Sequence, residues 1–187
     1  MSLALKHFGY PAGCNFSYGC INVDSPASPF LVRLAPSITL VLLLAATLFS
    51  LWLLLRRPAG SPGKPAPGGV LVGCTSLLLL VFIAGNKVFS PQYLIWLLPF
   101  LPLLPLPPRP RRLCLGVFAV VCVLTTVLVL TWRRHVVGNP AWLATMPVSG
   151  PTGLGVALLW ARNLAFVGLT LLVAVCLARP WPLRQEN

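Results

Sequence analysis

Asn86-Lys87-Val88-Phe89-Ser90-Pro91-Gln92-Tyr93 packs a mobile cation, a helix-start signal and several neutral hydrogen-bonding groups into eight residues. Serine is a good N-cap and proline is favoured at the first helical position, so Ser90-Pro91 predicts a helix that opens there. The unpaired N–H groups and dipole of such a helix favour an anion. Lys87 adds positive charge just before the cap, and Asn86, Gln92 and Tyr93 add neutral donors and acceptors. This is chemistry suited to a phosphate or diphosphate. The plainer alternative stands beside it: Lys87 snorkels to an interface while Asn86 and Gln92 solvate a tight turn. Arg162-Asn163 is a second polar feature inside an apolar run, and it either faces the same anion or reaches a backbone carbonyl or the interface.

What is missing constrains the chemistry as much. Asp24 and Glu186 are the only carboxylates. General-base catalysis needs a positioned carboxylate or an equivalent, and Asp24, in Val23-Asp24-Ser25-Pro26, reads better as a turn residue. His7 and His135 are isolated, no Cys/His spacing matches a metal site, and neither a metal nor another cofactor is expected. Cys74, Cys114, Cys122 and Cys176 lie in apolar runs and behave as small hydrophobes. Cys14 and Cys20 share one loop, where an oxidising compartment would allow them to pair.

The elements that must carry these residues are membrane spans. The chain of 187 residues is 57% hydrophobic and 9% charged, whereas a soluble domain carries about 25% charged residues. The net charge of +12 comes from basic residues flanking apolar runs, not from a basic soluble face with interleaved aromatics, so nucleic acid is not an expected partner. The expected partner is the lipid bilayer, and the expected fold is an all-α, polytopic membrane protein of four to five spans. These are 34–55, 70–84, a run from Tyr93, 113–132 and 154–178. The third is interrupted by Pro99, Pro102, Pro105 and Pro107, and proline removes a backbone donor and clashes with the preceding turn, so that span must break. Residues 9–30 read as a polar loop and 58–69 as a flexible connection. The whole reads as one membrane domain over 1–187, with 1–33 an outer loop and the remnant of a preceding span. Eight basic residues flank one side (Arg56, Arg57, Lys64, Arg109, Arg111, Arg112, Arg179, Arg184) and five the other (Lys6, Arg33, Lys87, Arg133, Arg134). That bias makes the first side cytoplasmic and places the polar knot formed by Asn86 to Tyr93 on the non-cytoplasmic side.

Lys87-Val88-Phe89-Ser90-Pro91-Gln92-Tyr93-Leu94-Ile95-Trp96-Leu97-Leu98-Pro99 resembles a motif of bacterial GT-C-type glycosyltransferases, multi-pass enzymes that use polyprenyl-phosphate sugars. It is similar to the mannosyltransferase-like branch described as a domain of unknown function. Phe16-Ser17-Tyr18-Gly19-Cys20-Ile21-Asn22 and Arg162-Asn163-Leu164 resemble the same branch with less specificity. The resemblance implies transfer of a hexose or pentose from a polyprenyl-phosphate donor at the outer face of the cytoplasmic membrane. Asn86, Lys87, Ser90, Gln92, Tyr93 and Arg162 would hold the lipid phosphate or sugar. The family's catalytic carboxylates lie in an N-terminal half with no counterpart here. The expectation is therefore a C-terminal membrane half, inactive alone, whose partner half is encoded upstream. The alternative is a non-enzymatic scaffold or lipid-phosphate-binding subunit. A channel or transporter is disfavoured, because no inverted repeat or matched pair of broken helices is present.

Overall fold

The computed structural model describes residues 13–17, 20–24, 26, 28–56, 67–86, 91–132 and 152–179. Among them the membrane part is all-α. Four helices are long and apolar enough to cross a bilayer: α1 (Ser28–Arg56), α2 (Pro67–Gly85), α4 (Pro108–Trp132) and α5 (Gly153–Ala178), with the short α3 (Gln92–Leu97) between α2 and α4. The expected remnant of a span at residues 1–5, most of the 58–69 connection and the 133–151 loop lie outside the described residues.

Two compact units divide the chain, one comprising residues 1–34 and 120–164, the other residues 35–119 and 165–187. The second unit holds most of α1, all of α2 and α3, the first half of α4 and the second half of α5. There α1 and α2 run antiparallel in a fixed register. The Thr39 hydroxyl hydrogen-bonds the Gly85 carbonyl oxygen, and eleven residues further along α1 the Ser50 carbonyl faces the Cys74 thiol at 3.9 Å, eleven residues back along α2. That separation is about 16 Å of helix. Ala46, Ser50 and Leu53 are the buried residues of α1. They continue the line of Thr39 and Leu43 at alternating spacings of four and three, which is a narrow coiled-coil-like seam. The rest of α1 is lipid-facing. In α2, burial spreads over Val70, Cys74, Ser76, Leu77, Leu80 and Ile83, which makes it the more enclosed helix.

The run from Gln92 breaks as its prolines require. α3 ends at Leu97, and tighter turns follow: Phe100 N–H donates to the Leu97 oxygen, Leu103 N–H to Phe100 and Leu104 N–H to Leu101. Pro99 and Pro102 have no N–H to place in a regular ladder. Burial nevertheless keeps its helical phase through the break. Leu94, Leu97, Leu101 and Leu104 are buried, while Ile95, Trp96, Leu98 and Leu103 are exposed. The broken segment ends beside the start of α2, since a Cβ on Gly73 would lie 3.5 Å from the Pro105 ring and 2.8 Å from the Leu177 side chain. It therefore runs back past α2 over about 18 Å as an irregular segment, the broken crossing, distinct from the four helices long and apolar enough to span a bilayer.

Three expectations need correction. Residues 13–24 are not an irregular loop. β1 (Gly13–Ser17) and β2 (Cys20–Asp24) form an antiparallel hairpin, because two short alternating runs separated by two residues including Gly19 are a hairpin signal. Its register sets Cys14 opposite Val23 and Cys20 opposite Ser17. The two cysteine positions are three residues apart along the ladder, farther than the ~7 Å Cα limit of a disulfide. The helices also begin earlier than hydropathy suggests, α1 at Ser28, α2 at Pro67 and α4 at Pro108. Proline in the first turn costs no hydrogen bond and presets the helical φ, so Pro29, Pro67 and Pro108 extend helices into flanking sequence. Arg109, Arg111 and Arg112 thus sit in the opening turns of α4 instead of in a loop. α5 opens on Thr152, whose hydroxyl accepts the Gly155 N–H at 3.2 Å, an ordinary N-cap bond.

Candidate functional site

The knot is built at the end of α2 remote from Gly73. α2 ends at Gly85 in a close approach to α1: a Cβ there would lie 3.1 Å from Thr39 Oγ1, 3.2 Å from its Cγ2 and 3.4 Å from the α1 backbone, tighter than ordinary contact. The Thr39 hydroxyl also lies 2.9 Å from the Ala35 carbonyl oxygen of its own helix. This close approach ties the last turn of α2 to α1 just before Asn86. Asn86 is half-buried, and its N–H donates to the Ile83 oxygen at 3.3 Å, so it extends the helix end by a tighter turn.

Lys87 and Ser90 lie outside the described residues, so the expected Ser90 cap carries no geometry. Pro91, with φ −55° and ψ −31°, occupies the N-cap position of α3, one residue before its first helical residue Gln92, and its oxygen accepts the Leu94 N–H at 3.1 Å. Gln92 is exposed and Tyr93 half-buried. The Tyr93 ring sits 5.0 Å from the Trp96 ring at a 52° tilt, a favourable aromatic geometry. Below Gln92 on the outward face come Ile95, Trp96, Pro99 and Leu103, all exposed. Leu94 and Leu97 anchor the opposite face. The arrangement presents a polar tip above an apolar strip.

Asn86, Gln92 and Tyr93 are therefore carried by adjoining elements of one unit, whereas Arg162 belongs to the other. Arg162 stands nine residues into α5, about 14 Å along the helix, and is only 7% exposed. Its Nε and Nη2 donate to Asn163 Oδ1 at 3.1 and 2.7 Å. One amide oxygen thus orients the guanidinium plane, and Arg162-Asn163 acts as a unit. The neighbouring amide answers much of the bonding that the sequence reading assigned to a carbonyl or to the interface.

Sequence reasoning missed Thr39, Gly85 and Trp96. Thr39 and Gly85 are 46 residues apart, and only antiparallel pairing of two otherwise uniform apolar runs brings them together. For Trp96 the available signal is its spacing of three from Tyr93 on a helix. Among the described residues no group of three His, Cys, Asp or Glu could hold a metal. Compared with protein-family models, curated proteins and solved structures, the chain matches none.

Proposed function

We propose that this chain is the donor-holding membrane half of a GT-C-like glycosyltransferase, binding a polyprenyl-phosphate sugar at the knot in the outer leaflet of the cytoplasmic membrane. The observation that carries the reading is the amphipathic outward face of the broken crossing, with Gln92 and Tyr93 above Ile95, Trp96 and Leu103. A polyprenyl phosphate has the same division, a charged head above a long apolar chain. In sequence, Lys87 and Ser90 add a cation and a hydroxyl between Asn86 and Gln92, and Lys87 is the charge assigned to the phosphate. In the transfer, the acceptor hydroxyl oxygen bonds to the anomeric carbon, the bond from that carbon to the phosphate oxygen breaks, and the electron pair leaves on the lipid phosphate. Cations beside the phosphate stabilise that charge. The hydroxyl proton needs a base, and none of the five helices carries an Asp or Glu. The base is accordingly assigned to a partner half.

The absence of helix carboxylates also favours a second reading, a non-catalytic subunit that only binds the lipid phosphate. Photo-crosslinking with a polyprenyl-phosphate probe tests the shared part. Labelling should map to 86–96 and fall at least tenfold in Lys87→Ala, and labelling indifferent to Lys87, Gln92 and Tyr93 would sink both readings. Sugar transfer on co-expression with an acidic-loop membrane partner separates the first reading from the second.

A further inference from the structure

The densest charge among the described residues lies at the other end of α2 from the knot. Arg56 closes α1, Arg109, Arg111 and Arg112 open α4, and Arg179 follows α5. The approach of Gly73 to Pro105 and Leu177 brings the start of α2, the end of the broken crossing and the end of α5 to one level. The α1–α2 register adds the end of α1. Five of the seven described arginines thus share one rim, and no described helix carries an acid.

Three of these cations, Arg56, Arg112 and Arg179, adjoin exposed apolar surface. Arg56 lies 4.4 Å over the Trp52 ring and follows Leu55, which is 75% exposed. Arg112 precedes Leu113, which is 56% exposed, and Arg179 follows the turn of exposed Val175. The charges begin where the exposed apolar strips of the helices end. Three of them stand at the positive end of the α4 dipole with no acid in that turn, so the helix adds to their mutual repulsion and an external anion is favoured. Guanidinium groups present paired donors that match phosphate oxygens.

We infer that this arginine rim is a binding surface for acidic phospholipid headgroups, selecting them over zwitterionic lipids in one leaflet. A soluble acidic protein or a nucleic acid would need charges that project beyond the headgroup layer. Arg56, Arg112 and Arg179 are instead next to or one turn from exposed apolar residues, and Arg109 and Arg111 share the opening turns of α4 with Arg112.

The test is native mass spectrometry of the full chain from mixed micelles containing equal phosphatidylglycerol and phosphatidylcholine. The expected result is preferential retention of phosphatidylglycerol, reduced by roughly fivefold per arginine removed in R109Q/R111Q/R112Q, the effect of a basic residue at an anionic surface. R109K/R111K/R112K should keep most of the preference, and R33Q, near the start of α1, all of it. Undiminished preference in the glutamine triple overturns the inference. If that variant does not fold, the wild-type chain decides: screening predicts loss of preference in 1 M NaCl, and a preference that survives overturns the inference. Displacement of phosphatidylglycerol by equimolar inorganic phosphate overturns it in favour of a free-anion site. Displacement by a polyglutamate peptide or single-stranded DNA overturns it in favour of a soluble acidic partner.

Discussion

Replacing Gly85 by alanine should loosen the knot from α1, and the size of the effect follows from the geometry. The added Cβ would meet Thr39 Oγ1 at 3.1 Å, Cγ2 at 3.2 Å and the α1 backbone at 3.4 Å. The nearest group is a β-branched side chain with restricted χ1, and the atoms behind it are helix backbone, so relief requires α1 to move outward. Overpacking of this kind costs ~1–3 kcal/mol. The Thr39–Gly85 hydrogen bond lost in the movement adds about 0.6 kcal/mol, the average measured for interhelical bonds in membranes. Alanine's better helix propensity returns at most ~1 kcal/mol, and less at a final helical residue. The expected net destabilisation is about 1–3 kcal/mol, with the steric term decisive. Reversible unfolding in bicelles would measure it, with Gly116→Ala and Gly168→Ala as controls, since a Cβ at either meets nothing within 4 Å. Thr39→Ala should relieve the clash while losing the bond, so the double variant should be more stable than the sum of the single effects by ~1 kcal/mol or more. If Gly85→Ala behaves like Gly116→Ala, or the cycle shows no coupling, the close approach of α1 and α2 does not exist as described.

The broken crossing makes a phase-specific prediction: Leu97→Ala and Leu104→Ala, both essentially inaccessible, should each cost ~2–5 kcal/mol in the same unfolding assay. Ile95→Ala and Leu103→Ala, more than half exposed, should stay within about 0.5 kcal/mol. Ser50 Oγ is buried with no hydrogen-bond partner among the described residues, so Ser50→Ala should be neutral or stabilising by up to ~1 kcal/mol, and a clear loss of stability would reveal a partner for that hydroxyl. The α1–α2 register predicts rapid disulfide or bismaleimide cross-linking of A46C with L78C, midway between the Thr39–Gly85 and Ser50–Cys74 contacts. Cysteine at exposed Leu48 in place of Ala46 should cross-link poorly, and equal yields would refute the seam.

The long spans were legible because ~20 apolar residues in a row admit almost one structure in a bilayer, where every backbone group must be satisfied within the segment. The break after α3 was legible for the same local reason, since Pro99 and Pro102 remove donors wherever they stand. Helix starts were read late because hydropathy registers side chains whereas Pro29, Pro67 and Pro108 act on the backbone. The hairpin escaped because its turn residues were counted as loop signals and the alternation of Phe16, Ile21 and Val23 around them was not. The site was half legible. Gln92 and Tyr93 announce themselves by being polar at the mouth of an apolar run. The Thr39–Gly85 clamp that fixes the neighbouring helix end depends on which two runs pair and in what register, and uniform leucine-rich sequence encodes that only weakly.

The same weakness explains why so few polar contacts determine this structure. Lipid-facing leucines gain nothing from exchanging lipid for protein of similar polarity, so association rests on close packing and on scattered hydrogen bonds. Only a narrow strip of α1 is buried, and within it Thr39, Ala46 and Ser50 are small or polar while the surrounding leucines face outward. Thr47, Ser76, Thr125, Thr126 and Thr170 each return their hydroxyl to the carbonyl oxygen four residues earlier. Those bonds satisfy the hydroxyls locally and define no partner helix. Thr39 differs in that its hydroxyl also reaches another helix, at the one point where a glycine admits it. The register of α1 against α2 at the knot is thus marked by a threonine–glycine contact, while buried leucines supply the packing on either side of it.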